Sequence, residues 1–437
     1  MNPHYFQFRG QPAVLVASTE HYGAVLNLDF DFVPYLDELK SHGLNLTRTF
    51  SGVYCEVPGD FKINANTLAP AQERFICPWA RSNEPGYGGG GNKFDLTRWD
   101  DAYFQRLKTF VGEAGKRDIV VEYVLFCPFY EESMWSRSPL NFANNVSGVG
   151  KLPRTDVYAL KDDRLTEVQT LLAQKVAREL AGFDNLYYEI CNEPYFGGVT
   201  LAWQARISAE LAEAEKRLGT SHLIAQNIAN GSQKIDAHDP RVSLFNFHYA
   251  SPPDTVALNF GLNKPIGDDE TGFRGSDDAV YRGEGWEFLF AGGAVYDNLD
   301  YSFTVHQEDG TATPNAPGGG GETLRHQLGI LKRFVDRFDF VSMKPDRSVV
   351  VGGLPEEASV HVLANPGQEY GLYLRGGSSA ALRLRLAEGK YRVEWLNPTS
   401  GKIETSSEIE VGSSEVTLQS PPYEQDVALA IRRAAQN

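Results

Sequence analysis

Leu186-Tyr187-Tyr188-Glu189-Ile190-Cys191, preceded by Leu165–Leu180 with apolar residues at Leu165, Val168, Leu172 and Val176, is the stretch that decides the fold. The first run reads as a buried strand and the second has helical spacing. The same alternation extends in both directions. Upstream, Pro12–Ser18 reads as a strand, Asp31 opens a helix whose apolar face is Phe32, Leu36 and Leu39, and Gly43 ends it. Leu44–Phe50 is the next strand. Thr97-Arg98-Trp99-Asp100 then forms a capping box before a helix carrying Leu107, Phe110 and Val111. Asp118–Phe126 is a further buried strand. Downstream come a helix over Trp203–Leu218, strands His222–Ala229, Val242–His248 and Pro265–Glu270, and a helix near Tyr281–Phe290. Strand Ala294–Phe303 and helix Leu324–Phe338 complete the series. Repeated βα units imply a parallel sheet, and eight strand signals imply closure into an α/β (β/α)8 TIM barrel. An open doubly wound sheet is the alternative, but no G-x-G-x-x-G follows the first strand.

After Lys344-Pro345 the pattern changes to short alternating runs such as Leu382-Arg383-Leu384-Arg385-Leu386, separated by turns such as Asn365-Pro366-Gly367. This predicts a smaller all-β sandwich over 344–437, with the barrel over 1–343. Two glycine clusters, Gly88–Gly91 and Gly318–Gly321, lack the G-K-[ST] ending of a phosphate loop and fall after strands two and eight. The stretch Ser51–Phe94 is too long for a plain connection, and its Tyr54, Trp79 and Tyr87 favour a lid.

The chain has 437 residues, 42% hydrophobic and 22% charged, which excludes disorder and coiled coil. Lys and Arg number 41 against 57 Asp and Glu, a net charge of −16 that argues against nucleic acid or anionic lipid as partner. No run approaches the roughly 18 apolar residues of a membrane span. Met1–Gln7 lacks a basic segment leading into an apolar one, and Cys55, Cys77, Cys127 and Cys191 are widely spaced. Reduced thiols and a cytoplasmic setting are the expectation. Aromatic residues make up 12%, a surplus that sugar-binding clefts and cores both use.

Polar residues at the C-terminal ends of barrel strands read as catalytic. Glu193 ends strand four in Asn192-Glu193-Pro194, where Pro194 closes the strand, and Glu270 ends strand seven. A slip of one residue in strand seven would select Asp269 instead. Strands four and seven face each other across the mouth. Two carboxyl groups across one cleft are what glycosidic cleavage needs: one protonates the departing oxygen, the other attacks the anomeric centre or stabilises its charge.

Asn192-Glu193-Pro194 after Tyr-Tyr-Glu-Ile resembles the acid/base signature of the clan A glycoside hydrolases, typified by family 5. The resemblance covers about the first three quarters of the chain. It implies Glu193 as acid/base and Glu270 as nucleophile. Arg48 matches the clan's strand-two Arg, and His248-Tyr249 match its strand-six pair. It also implies a retaining double displacement with carboxyl groups about 5–5.5 Å apart, and no metal or organic cofactor. Two departures stand out. Phe126-Cys127-Pro128-Phe129 occupies the region of a usual His, and Tyr301 or Phe303 replaces the usual Trp after strand eight. His21 is a candidate for sugar hydroxyls, and Trp79, Trp135 and Tyr301 for stacking platforms. His306-Gln307-Glu308-Asp309 has no ligand spacing and reads as a solvated loop.

The expected function is a retaining glycosidase on β-linked glycosides or oligosaccharides. Exo action is favoured by the long loops. Glu193 is expected to have a raised pKa. An endo-acting β-glucanase or β-mannanase and a non-catalytic carbohydrate-binding barrel are the alternatives. A structural role led by the sandwich is a further one.

Overall fold

The computed structural model describes residues 2–412 and 415–434. Eight parallel strands form the barrel: β1 Leu15–Thr19, β2 Leu46–Phe50, β3 Val120–Phe126, β4 Leu186–Cys191, β5 Leu223–Asn230, β6 Leu244–His248, β7 Ile266–Glu270 and β8 Val295–Leu299. They are almost wholly buried, which explains why they read as continuous apolar runs. Pairing runs from β2 through β3 to β8 and on to β1. Between β1 and β2 the ladder is replaced by Asn45. Its backbone N–H donates to the Val16 carbonyl (3.1 Å), its Oδ1 accepts from the Val16 amide, and its Nδ2 donates to the Val14 carbonyl (both 2.9 Å).

The outer helices are α1 Phe32–Ser41, α2 Asp101–Lys116, α3 Asp163–Leu180, α4 Leu201–Leu218, α5 Asp254–Asn259, α6 Asp278–Phe290 and α7 Glu322–Val335. The connection from β5 to β6 has no helix. Asp31, Asp100, Asp162, Thr200 and Asp277 cap their helices through side-chain oxygens. The capping box expected at Thr97 does not form. Asn92–Trp99 is instead a strand paired with Trp79–Pro85, Thr97 Oγ1 bonds Asp95, and Asp100 itself caps α2. The loop after β2 is therefore an ordered excursion ending in a hairpin. All four cysteines are buried and unpaired.

Lys344 begins an antiparallel sheet of six strands that faces one of three. The two enclose Val362, Leu372, Leu382, Leu384, Tyr391 and Val393, so the region is a sandwich. It packs on α6. Trp286 stacks on Tyr373 (5.2 Å between centroids), and buried Arg282 donates to Asp426 (2.9 and 3.2 Å), which also accepts from Tyr373. Helix α6 is thus buried on opposite sides, against β8 and against the sandwich, and all of Tyr281–Phe290 is buried. Among the described residues no helix is long and apolar enough to cross a membrane.

Candidate active site

Glu193 and Glu270 meet at the C-terminal end of the barrel. A carboxylate oxygen of each and a nitrogen of His248 lie within 4.8 Å of one another. Backbone irregularity brings them there. Phe247 of β6 pairs with Asp268 and the next residue, His248, pairs with Glu270, so Asp269 is an unmatched bulge residue in β7. The bulge turns Asp269 and Glu270 both inward, one layer apart, where strict alternation would send one outward. The ambiguity between these two carboxyls in the sequence has this origin: Asp269 sits deeper, and Glu270 reaches the mouth. Glu193, Tyr249 and Tyr22 all have left-handed backbones, with φ of 35°, 53° and 60°. Such strain in non-glycine residues gathers where side-chain aim matters.

Glu270 accepts from three donors: Tyr249 hydroxyl at 2.6 Å on Oε1, and Tyr22 hydroxyl and Arg48 Nη1 at 3.1 Å each on Oε2. Glu193 accepts from Tyr130 (2.6 Å on Oε2) and Tyr195 (3.2 Å on Oε1), with His248 Nδ1 also 3.2 Å from Oε1. Asn192 links the two sets, because its Oδ1 accepts from Arg48 Nη2 (2.7 Å) and its Nδ2 donates to Tyr130 (2.9 Å). Burial opposes a charge on His248, but Glu270, Asp269 and Glu193 around it raise its pKa to about 9. His248 is therefore an imidazolium at neutral pH. Burial likewise pushes Glu193 up, yet the hydrogen bond and charge of His248, with Tyr130, outweigh it and hold the carboxyl below its usual range. This corrects the expectation of a raised value. The neighbouring cation, not the neighbouring carboxylate, dominates.

Beneath this pair the barrel interior is acidic. Arg48, Glu122, Glu189, Asn246 and Asp269, none of them accessible to solvent, occupy a layer where branched apolar residues are usual. Arg48 Nη2 donates to Glu189 at 2.7 Å, so Arg48 spans Glu189 below and Glu270 above.

The mouth opens into a cavity of about 480 Å³ lined by Glu193, Glu270, His21, Tyr22, Tyr54, Glu56, Cys127, Tyr130, Asn192, Asn230 and Tyr249. Phe61, Phe196 and Phe273 line it as well, each with more than a third of its surface exposed. Tyr54, Glu56 and Phe61 come from the long loop after β2, so that loop walls the cavity. A larger cavity of about 680 Å³ lies at the other end of the barrel, against Leu15, Val120 and Leu186 at the strand starts. It lies at the end where barrel enzymes do not carry their sites.

Of the residues expected from sequence, Arg48, Asn192, Glu193, His248, Tyr249 and Glu270 form one connected cluster, and His21 lines the cavity beside Glu56, 3.7 Å away. Burial, with Arg48 nearby, lowers the pKa of His21 to about 3, and burial raises that of Glu56 to about 8, so the two face each other uncharged. Trp79 and Trp135 do not reach the cavity. Trp79 is fully buried against Trp99 and Trp135 is buried against Phe129, where they fill the interiors of their own loops. Tyr301 lies behind His21 and Phe273, 4% exposed. The exposed rings are Phe61, Phe196 and Phe273. Two of these stand in turns directly after the strand ends that carry Glu193 and Glu270, a position that could have flagged them. Tyr130 follows Cys127 in the loop after β3, and its hydroxyl reaches both Glu193 and Asn192. Cys127 Sγ lies 3.7 Å from it.

No protein-family profile matches the chain, and no curated protein matches it. Solved structures do. Two proteins of Bacteroides vulgatus, one assigned provisionally to the glycoside hydrolases and one to glycoside hydrolase family 5, superpose with TM-scores of 0.69 and 0.67 at 15% and 14% identity. The alignments cover 99% and 100% of this chain and 81% and 92% of theirs. A third structure, described as a glycoside hydrolase, gives a TM-score of 0.68 at 15% identity over 100% of this chain and 97% of its own. At such identities the likeness is one of fold: an eight-stranded barrel followed by a β domain, as found in glycoside hydrolases.

Proposed function

We propose that the protein is a retaining glycoside hydrolase acting on β-linked glycosides or short oligosaccharides. The observation that carries this is the pairing of Glu193 and Glu270, whose oxygens approach within 4.8 Å. Oxygens this close favour the short carboxyl separation of retaining enzymes, about 5–5.5 Å, over the roughly 6.5–9.5 Å that admits a water between them. Glu270 is the nucleophile. Its carboxylate, oriented by Arg48, Tyr22 and Tyr249, attacks the anomeric carbon as the bond to the leaving oxygen breaks. The leaving oxygen takes a proton from Glu193, which is supplied with one by His248 Nδ1, so the imidazolium–carboxylate pair acts as a single acid. In the second step Glu193 accepts a proton from water and returns it to His248 Nδ1 as the oxygen of that water attacks the same carbon, and Glu270 leaves as a carboxylate. The fold shared with glycoside hydrolases supports this reading by analogy, and Glu193 and Glu270 lie at the barrel end where such folds carry their sites.

The cavity walled by the loop after β2 supports exo action, with Phe61, Phe196 and Phe273 as faces for sugar rings. An aryl β-glycoside panel set against polysaccharides tests the mode of action, and proton NMR of the first product anomer tests retention. Glu270→Ala should abolish turnover, with azide restoring a glycosyl azide of inverted configuration. Full activity in that variant, or an inverted product from the wild type, would discard the scheme.

A further inference from the structure

The acidic layer inside the barrel holds more hydrogen-bond contacts than its hydrogens can serve. Asn246 Nδ2 lies 2.8 Å from Glu122 Oε1, 2.9 Å from Glu189 Oε2 and 2.8 Å from Asp269 Oδ2. An amide carries two N–H groups, so three carboxylate oxygens cannot all be satisfied by it. Reversing the amide does not help: its oxygen would then face the same three atoms, and each contact would need a proton from the acid side. Asn246 Oδ1, buried and without a partner against Gly267, shows that no other donor enters from behind. Three buried carboxyl oxygens thus lie within 4.8 Å of one another, and the two cations near them, Arg48 and His248, are shared with Glu193 and Glu270, so at least one carboxyl of this layer is protonated.

The cations identify which one. Glu189 has Arg48 Nη2 at 2.7 Å, and Asp269 Oδ1 has His248 Nε2 at 3.5 Å. Glu122 has neither. Its nearest cationic atom is Arg48 Nε at 3.8 Å, which makes no hydrogen bond, while its Oε2 accepts from the Tyr187 hydroxyl at 2.8 Å. One oxygen of Glu122 lies within 4.8 Å of one of Glu189 and one of Asp269, so a proton on Glu122 relieves both contacts. Burial and the neighbouring carboxylates push both Glu122 and Asp269 well above the ordinary range, but Asp269 has the charge of His248 beside it to offset this, and Arg48 holds Glu189 below that range.

We infer that Glu122 is the permanently protonated acid of this layer, so that Glu189 remains a carboxylate and serves as the positioning residue that anchors Arg48 beneath Glu270. Glu189 touches no substrate. It fixes the lower end of the guanidinium whose upper end orients the attacking oxygen. This role rests on the glycosidase reading, whereas the protonation state stands apart from it.

Two isosteric variants separate the roles. Glu122→Gln replaces a neutral acid by a neutral amide and should leave kcat/KM for an aryl β-glycoside within roughly threefold. Glu189→Gln removes the anion under Arg48 and should lower kcat by on the order of tenfold or more while KM changes little, because a misplaced reacting group carries that cost. Difference infrared spectroscopy gives the readout that activity does not. The wild type should show a carboxylic-acid C=O stretch at neutral pH that Glu122→Gln removes and Glu189→Gln retains. A band unaffected by Glu122→Gln, or a loss of kcat in Glu122→Gln equal to that in Glu189→Gln, overturns the inference. If no variant, the wild type included, cleaves any glycoside, the glycosidase reading fails, and the infrared band still decides the protonation of Glu122.

Discussion

His248→Asn is expected to change how stability depends on pH, with a sign and size that follow from the site. His248 faces Glu193 on one nitrogen and Asp269 on the other, with Glu270 3.6 Å away, Glu189 within Coulombic range and the Tyr249 ring edge-on. These anions raise its pKa from 6.5 to about 9 in the folded protein. The folded state thus holds the proton more tightly than the unfolded chain. The resulting stabilisation is complete below pH 6.5 and is lost as pH climbs through about 9. At about 1.36 kcal/mol for each pH unit of difference, the amount at stake is about 3 kcal/mol. Urea unfolding followed by tryptophan fluorescence, at pH 6 and pH 9.5, measures it. The wild type should lose about 3 kcal/mol more across this window than His248→Asn. Without the imidazolium, burial governs Glu193, its pKa rises, and the pH-dependent loss moves to lower pH. Identical losses in the two proteins between these pH values would show that His248 is neutral throughout, and the acid assigned to the His248–Glu193 pair would go with it.

Tyr130→Phe removes a 2.6 Å donor to Glu193, and a hydrogen bond to a charged group contributes about 1.5–3 kcal/mol, so kcat/KM on an aryl glycoside should fall roughly tenfold or more. Phe273→Ala should raise KM with little change in unfolding midpoint, whereas Trp79→Phe should do the reverse, since Trp79 is buried within its loop. Steady-state kinetics beside thermal melts separates the two. Asp426→Ala strands Arg282 at the join with the sandwich and should destabilise by about 3–5 kcal/mol, with Arg282→Met in the same chain recovering part of the loss. A double variant less stable than the single would contradict a simple unpaired-charge cost.

The barrel was readable because its strands are buried on both faces and alternate with helices of clear period. Glu193 and Glu270 were readable because they close strands. What stayed hidden lies where periodicity carries no information. Glu122 and Glu189 stand mid-strand in Val121-Glu122-Tyr123 and Tyr188-Glu189-Ile190, positions that ordinarily belong to packing, and only closure of the barrel brings them around Arg48. The bulge at Asp269 adds a residue that no spacing rule reveals. Trp79 and Trp135 mislead because an aromatic residue in a long loop signals equally a ligand face and the loop's own small core. Glu193's acidity is hidden for a similar reason: the strand order places a carboxylate opposite it, but only closure of the barrel brings His248 against it.

The Asn45 closure also bears on the motions of the barrel. His21 and Tyr22 follow β1, and Arg48 and Phe50 belong to β2, so one wall of the cavity straddles a joint spanned by a single amide side chain and a few backbone bonds. Every other strand junction is a ladder that must unzip residue by residue. Amide exchange should begin at Val16 and Asn45 and spread from there, ahead of exchange at the laddered junctions. Asn45→Ala should speed exchange along β1 and β2 before it is felt at β4 or β7.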